Sequence, residues 1–383
     1  MDFEFTQEQD MLRASVRKMM DKLATPAYIR RVDQAQEFPY ELYDAWVEMG
    51  LLRMPFPEAY GGLGGSVVDL AIIAEELSRS GFEYYNAYGV PVLYGLNIAR
   101  KGTEEQKRYW IPRLLSGEIK LSVSISEPDA GSDMGGMRTT ARRDGDHWVI
   151  NGQKLWSTSA GARGNAINLY AKTDTQAHYR QGISLFLVDN DTPGVTLRKL
   201  DMLGLRCAGS YEVFFDDVRV PADRLIGGEN KGWSCILGSL QYERLAATAG
   251  YCGSAQTVVD LALQHAKERE QFGRPIGTFQ AIGHMLADMQ TDVDAARALL
   301  WRAAWALSKG RDALREISVA KLFGSETYVK VANLGMQIFG AYGYSMEYDI
   351  QRHFRNARSA TIGIGTSQMQ RNTIAGLMGL KIQ

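Results

Sequence analysis

The 383-residue chain is poor in cysteine, with only Cys207, Cys235 and Cys252 and no CxxC pair among them. So odd and widely spaced a set argues against a disulfide framework or a cysteine-rich zinc site, fits a reducing compartment, and leaves the thiols as small buried hydrophobes. The five histidines, His147, His178, His265, His284 and His353, show neither HxH nor HExxH spacing, so no metal site is expected. A P-loop and a GxSxG elbow are also missing, which disfavours the enzyme classes that carry them. No segment reaches 18 uninterrupted apolar residues, and no membrane span is expected. Met1 runs straight into "FTQEQDMLRASVRKMM", which has neither a signal nor a transit pattern, and the expected location is cytoplasmic. Charge of one sign is not in excess either. The 43 Lys+Arg against 44 Asp+Glu give a net charge of -1, no global field favours nucleic acid or an anionic membrane, and any anionic ligand must be held locally.

What is present is an ordinary globular composition, 45% hydrophobic and 23% charged, on a chain long enough for two or three domains. Periodicity divides it. From Thr6 to about Leu115 apolar residues recur at three and four, with capping-box spacings at Thr6/Gln9 and Thr103/Gln106 and a Pro112 expected to kink its helix or sit near the start. From about Lys120 to Pro221 the period becomes two, with hairpin signals at Asp144-Gly145 and Asn151-Gly152. From about Lys231 the helical period returns. The expectation is an α+β chain of an N-terminal α-helical domain over 1–119, a middle antiparallel β-domain over 120–229, and a C-terminal helical domain over 230–383.

Two local patterns carry no weight. "GGLGGS" at Gly61 to Ser66 follows no strand and lacks the acidic residue of a dinucleotide-binding unit, and "SVAK" at Ser318 to Lys321 has none of the companions of a serine-lysine nucleophile. More informative are "PEAYGGLGG", "SISEPDAGSD", "INGQKLWSTSAG", "FFDDVRVP", "REQFGRPIGTFQ", "MQIFGAYGY" and "IGTSQMQR", which occur in this order. Together, over almost the whole chain, they resemble the acyl-CoA dehydrogenase family. The resemblance implies a four-helix-bundle-like C-terminal domain, non-covalent FAD, a homotetramer built as a dimer of dimers, and oxidation of an acyl-CoA thioester to its trans-2-enoyl-CoA. Electrons would pass on to an electron-transferring flavoprotein.

Residue by residue, the resemblance places Ser126, Gly131 and Ser132 at the flavin ring edge and pyrophosphate, with Ser132 also at the substrate. Small hydroxyls and exposed amides suit that task, since they offer neutral donors. Trp156 and Thr158 match the strand lying on the isoalloxazine. Arg269, Gln271, Phe272 and Gln280 match a segment reaching across a dimer interface to the FAD of the neighbour, where Arg269 supplies charge for the diphosphate. Gln337 and Gly340 approach the same phosphates, and Thr366 and Gln368 complete the site. Many relatives carry the catalytic carboxylate just before the Gly-Thr of the C-terminal loop, but here that residue is Ile364, which leaves only its backbone amide to polarise the thioester carbonyl. A second subset, resembling isovaleryl-CoA and long-chain acyl-CoA dehydrogenases, carries a glutamate on the first long C-terminal helix. "LQYERLAATAG" puts Glu243 there, bracketed by apolar residues that would raise its pKa, with Arg244 at a position contacting cofactor or CoA. The sequence departs from the family at Asp129, Ala341 and Asn356, the last removing a charge near the expected flavin segment. The tyrosine-rich Tyr84 to Gly95 is expected at the base of the acyl pocket. Two alternatives stay open: altered chemistry on the same fold, as in an acyl-CoA oxidase, a desulfinase or a flavin monooxygenase, and a non-catalytic FAD-binding scaffold.

Overall fold

The computed structural model describes residues 4–381. Six helices come first: α1 Gln7–Leu23, α2 Pro26–Ala35, α3 Tyr40–Glu48, α4 Val67–Ser78, α5 Phe82–Lys101 and α6 Glu104–Leu115. The capping boxes at Thr6/Gln9 and Thr103/Gln106 are both formed, and Ser66, from the glycine-rich loop, caps α4 through Asp69. Each uses a side-chain oxygen for one of the N–H groups that a helix start leaves unpaired. Pro112 lies in the last third of α6 rather than near its start.

Eight strands follow, β1 Lys120–Ser124, β2 Thr140–Asp144, β3 His147–Thr158, β4 Asn165–Lys172, β5 Ile183–Asp189, β6 Val195–Leu200, β7 Ser210–Pro221 and β8 Leu225–Ile226, with the short helix α7 Tyr179–Gly182 before β5. They make one sheet in the order β6-β7-β3-β2-β4-β5-β8. Its pairings are antiparallel except where β1 and the start of β2 run parallel to β4. Asp144-Gly145 does turn the β2–β3 hairpin, with Gly145 at φ 63°. Asn151-Gly152 does not reverse the chain: β3 continues through it with a bulge between Ile150 and Gly152. Asn151 exchanges hydrogen bonds with Asp217 on β7, at 2.9 Å each way, so the side chain that would close a two-residue turn instead bridges neighbouring strands.

The remaining helices are α8 Gly232–Glu268, α9 Gln280–Ser308, α10 Leu314–Phe339, α11 Ile350–Ala357 and α12 Ser367–Leu377, with the two-residue strands β9 Glu270–Gln271 and β10 Arg274–Pro275 between α8 and α9. Helix α8 packs on α4, α5, α9 and α10, so N- and C-terminal helices share one core. Small residues on α8 permit the approach: a Cβ added at Gly253 would lie 2.1 Å from the Glu75 carbonyl oxygen on α4. Asn356, fully buried, donates to Glu83 and accepts from the Leu205 N–H at 2.7 Å. Glu83 is also paired with Arg352 at 2.7 Å, so Asn356 sits within a neutralised buried cluster. All three cysteines are buried and free. Among the described residues no helix is long and apolar enough to cross a membrane, and no cluster of His, Cys, Asp and Glu could hold a metal.

Candidate active site

Two helices from opposite ends of the chain build the centre. Helix α8 presents Glu243, and α5 presents Tyr94, whose hydroxyl donates to Glu243 Oε1 at 3.2 Å and Oε2 at 3.1 Å. Glu243 is partly buried. Burial pushes its carboxyl up to about 7, against the opposing pull of the Tyr94 hydrogen bond and of the Arg244 charge. The buried phenols of Tyr85, Tyr170 and Tyr251 are held in their neutral form by burial, reinforced by the nearby Glu243 charge. The tyrosine-rich segment is divided between two faces of α5: Tyr85 and Tyr94 face Glu243, whereas Tyr88 donates to the Leu51 carbonyl at 3.0 Å and stacks edge-on against Trp46.

The loop before α12 lies beside this centre. Ile364 and Gly365 have φ of 58° and 82°, and Thr366 caps α12 through the Met369 N–H. Arg244 donates to the Ile364 carbonyl at 3.4 Å, while Lys321 on α10 donates to the carbonyls of Ala360 at 3.0 Å and Gly365 at 2.8 Å. Gln370 adds a second donor to the Gly365 carbonyl at 3.1 Å. Burial and the neighbouring Arg244 lower Lys321 to about 8. These donors take the loop's carbonyls, and among the described residues the Ile364 N–H is given to no hydrogen bond. Gln368, the second residue of α12, is exposed.

A third group comes from the sheet. The Ser126 carbonyl accepts from the Leu155 N–H at 2.8 Å, which ties the loop after β1 to β3 beside Trp156. A second bulge, between Lys154 and Ser157, turns Trp156 outward at φ 63° and leaves it 54% exposed, while Ser157 points in to Ser124 at 2.6 Å. Thr158 is partly exposed, and Gly131 and Ser132 are exposed. Beneath them the buried pair Lys154–Glu127, at 2.8 Å, anchors the loop, and Glu127 also accepts from the N–H groups of Arg138 and Thr139. Asp129 pairs with Arg138 and Asp133 caps Gly135, so the acids of this loop are partnered. An uncovered indole with hydroxyls and amides around it fits a planar heteroaromatic ring edge.

Arg269, Gln271, Phe272, Gln280, Gln337 and Gly340 are gathered elsewhere, at the far end of α8. The Arg269 guanidinium lies over the Tyr342 ring at 5.2 Å, which joins the β9–β10 hairpin to the turn after α10. Phe272, at φ 53°, is 94% exposed; Gln271, Gln280, Gln337 and Gly340 are also exposed. At 1.5 Å per residue, Arg269 stands about 39 Å along α8 from Glu243. The chain therefore brings together Glu243, Arg244, Ile364 and Thr366, and keeps the Arg269 group apart from them.

Sequence reasoning missed Tyr94 as a partner of Glu243, the Lys321 clamp and the Lys154–Glu127 anchor. A lysine between buried Ile317, Ala320 and Tyr328 on one helix is the signal that could have drawn notice to Lys321.

Comparison with known proteins agrees with this architecture. Models of the acyl-CoA dehydrogenase N-terminal, middle and C-terminal domains match residues 6–118, 122–218 and 230–378. A probable acyl-CoA dehydrogenase of Bacillus subtilis, YngJ, is 40% identical over 98% of this chain and 99% of its own length. CarC, a subunit of the caffeyl-CoA reductase-Etf complex of Acetobacterium woodii, is 36% identical over 98% and 99% of the two chains. The solved structure of butyryl-CoA dehydrogenase from Megasphaera elsdenii superposes with a TM-score of 0.94 at 31% identity, covering 99% of this chain and 100% of that one. The chain belongs to the acyl-CoA dehydrogenase family. It is an enzyme of that family, with FAD as its cofactor.

Proposed function

We propose that this chain oxidises an acyl-CoA thioester to the trans-2-enoyl-CoA, with Glu243 as the base that removes the α-proton. The carrying observation is a partly buried carboxylate raised to about 7, next to a loop whose Ile364 N–H is unspent. A carboxylate with that pKa is in part ionised near neutrality yet basic enough to share a carbon-bound proton in the transition state. An α-proton of a thioester is too weakly acidic for this alone, so negative charge developing on the carbonyl oxygen needs a donor, and the Ile364 amide is assigned that role. Its being a backbone group explains how the position works with no carboxylate side chain. Arg244 and Lys321 act through the loop, holding its carbonyls. FAD, when bound, supplies the acceptor for the β-hydrogen.

Ser126, Gly131, Ser132, Trp156, Thr158, Thr366 and Gln368 are the proposed flavin residues on this subunit, and the Arg269 group is proposed to serve the FAD of a partner within a dimer of dimers. Ser132 and Arg244 are the proposed substrate contacts. The domains are proposed at 1–119, 120–229 and 230–383. Kinship with an Etf-complex subunit supports an electron-transferring flavoprotein as the acceptor. Glu243→Gln keeps size and hydrogen bonding but cannot take a proton. Anaerobic titration of this variant with an acyl-CoA panel should show flavin reduction slowed by at least ~100-fold with FAD retained, whereas bleaching near the wild-type rate overturns the assignment.

A further inference from the structure

We infer that Tyr94 is a positioning residue for the Glu243 carboxylate, holding both of its oxygens through a single phenolic O–H. This rests on the reading of Glu243 as the base. The two contacts, 3.2 and 3.1 Å, are nearly equal, so the hydroxyl lies close to the bisector of the carboxylate and fixes the direction in which it faces. Among the described residues no other hydrogen-bond donor reaches Glu243. Tyr94 itself has little freedom. It is 3% exposed, and the next residue, Gly95, seats α5 so tightly on α6 that an added Cβ would lie 2.3 Å from Leu114 Cδ2.

The other groups around Glu243 cannot substitute. Tyr85 on α5, Tyr170 on β4 and Tyr251 on α8 face it as phenols that burial keeps neutral. Arg244 on α8 is the facing cation, and its guanidinium is engaged with the Ile364 carbonyl, with Lys321 of α10 close enough to feel its charge. A lone donor to a partly buried carboxylate favours the charged form, so it opposes burial and keeps the base in its proton-accepting state nearer to neutral pH. Without it, Glu243 would hold its proton to higher pH and lose its aim.

The test uses the FAD-loaded enzyme and Tyr94→Phe, which keeps the ring and removes the hydroxyl. The pH limb of flavin reduction by acyl-CoA should move upward by about one unit, a loss of ~10-fold below the limb that narrows on the alkaline side. A merely structural role would lower the rate by the same factor at every pH, and that result overturns the inference. A second readout does not depend on turnover: the infrared carboxyl band of Glu243, identified by its loss in Glu243→Gln, should titrate at higher pH in Tyr94→Phe. Replacing Tyr94 with a ring-fluorinated tyrosine, a stronger donor of nearly the same shape, should move the midpoint the other way. Midpoints that stay fixed in both variants overturn the role of Tyr94. Retained bleaching in Glu243→Gln overturns the base assignment instead, and the infrared midpoints still report on Tyr94.

Discussion

A carboxyl group that titrates near 7 in the folded state and near 4.5 in the unfolded one makes folding pH-dependent, and the sign is fixed. Between those values the folded chain binds more protons than the unfolded chain, so stability is full below pH 4.5 and is lost as pH rises through 7. For Glu243 the loss is on the order of 3 kcal/mol at alkaline pH. Glu243→Gln carries no such charge. It should therefore melt at a higher temperature than the wild type at pH 8 and differ little at pH 4.5, as thermal denaturation of the two holoproteins would check. A variant with lower activity and greater stability is the mark of a residue kept for chemistry rather than for folding. Lys321 pays in the same coin, since a buried cation that bonds only carbonyls is retained for where it puts the loop.

At the level of elements, the contact of α4 with α8 depends on there being no side chain at Gly253. Gly253→Val would drive a side chain into the Glu75 carbonyl, a backbone atom that cannot move without its helix, and should destabilise the protein by about 3 kcal/mol or more, measured by thermal or denaturant unfolding. The helices and strands themselves were legible in the sequence, because periods of 3.6 and 2 and the caps at Thr6 and Thr103 are local signals, whereas the Ser66 cap of α4 went unread inside its glycine-rich stretch. Asn151-Gly152 was not, since a turn dipeptide and a bulge dipeptide have the same composition and only pairing with Asp217 on β7 tells them apart. The site divides in the same way. Glu243 and Ile364 stand in motif-bearing segments and could be named from them. Tyr94 lies 149 residues from Glu243, and Lys321 lies 44 residues from Gly365, so their roles arise from packing that no short spacing records.

Considered as a whole molecule, the chain has its proposed flavin residues at two stations too far apart for one subunit to bring together. The roughly 39 Å of α8 between Glu243 and Arg269 is rigid helix, so an Arg269 that serves a flavin serves one in another subunit. Arg269→Ala should purify folded but with most of its FAD lost, read from the ratio of flavin to protein absorbance; full occupancy would remove Arg269 from the site. The exposed Phe272 at the same end would be covered by such a partner. The interleaving of the two ends of the chain also has a consequence for its birth on the ribosome. The Ser78 carbonyl at the end of α4 accepts from Ser254 on α8, 176 residues later. At 5–20 residues per second, α4 waits roughly 10–35 s for that partner. Its Leu70, Ala71, Ile72, Ile73 and Ala74 are all buried once the fold closes, and during the delay only α1 and α5 are available to cover them while the face that meets α8 stays open. The nascent chain therefore carries α4 with part of its apolar surface uncovered until α8 has been made.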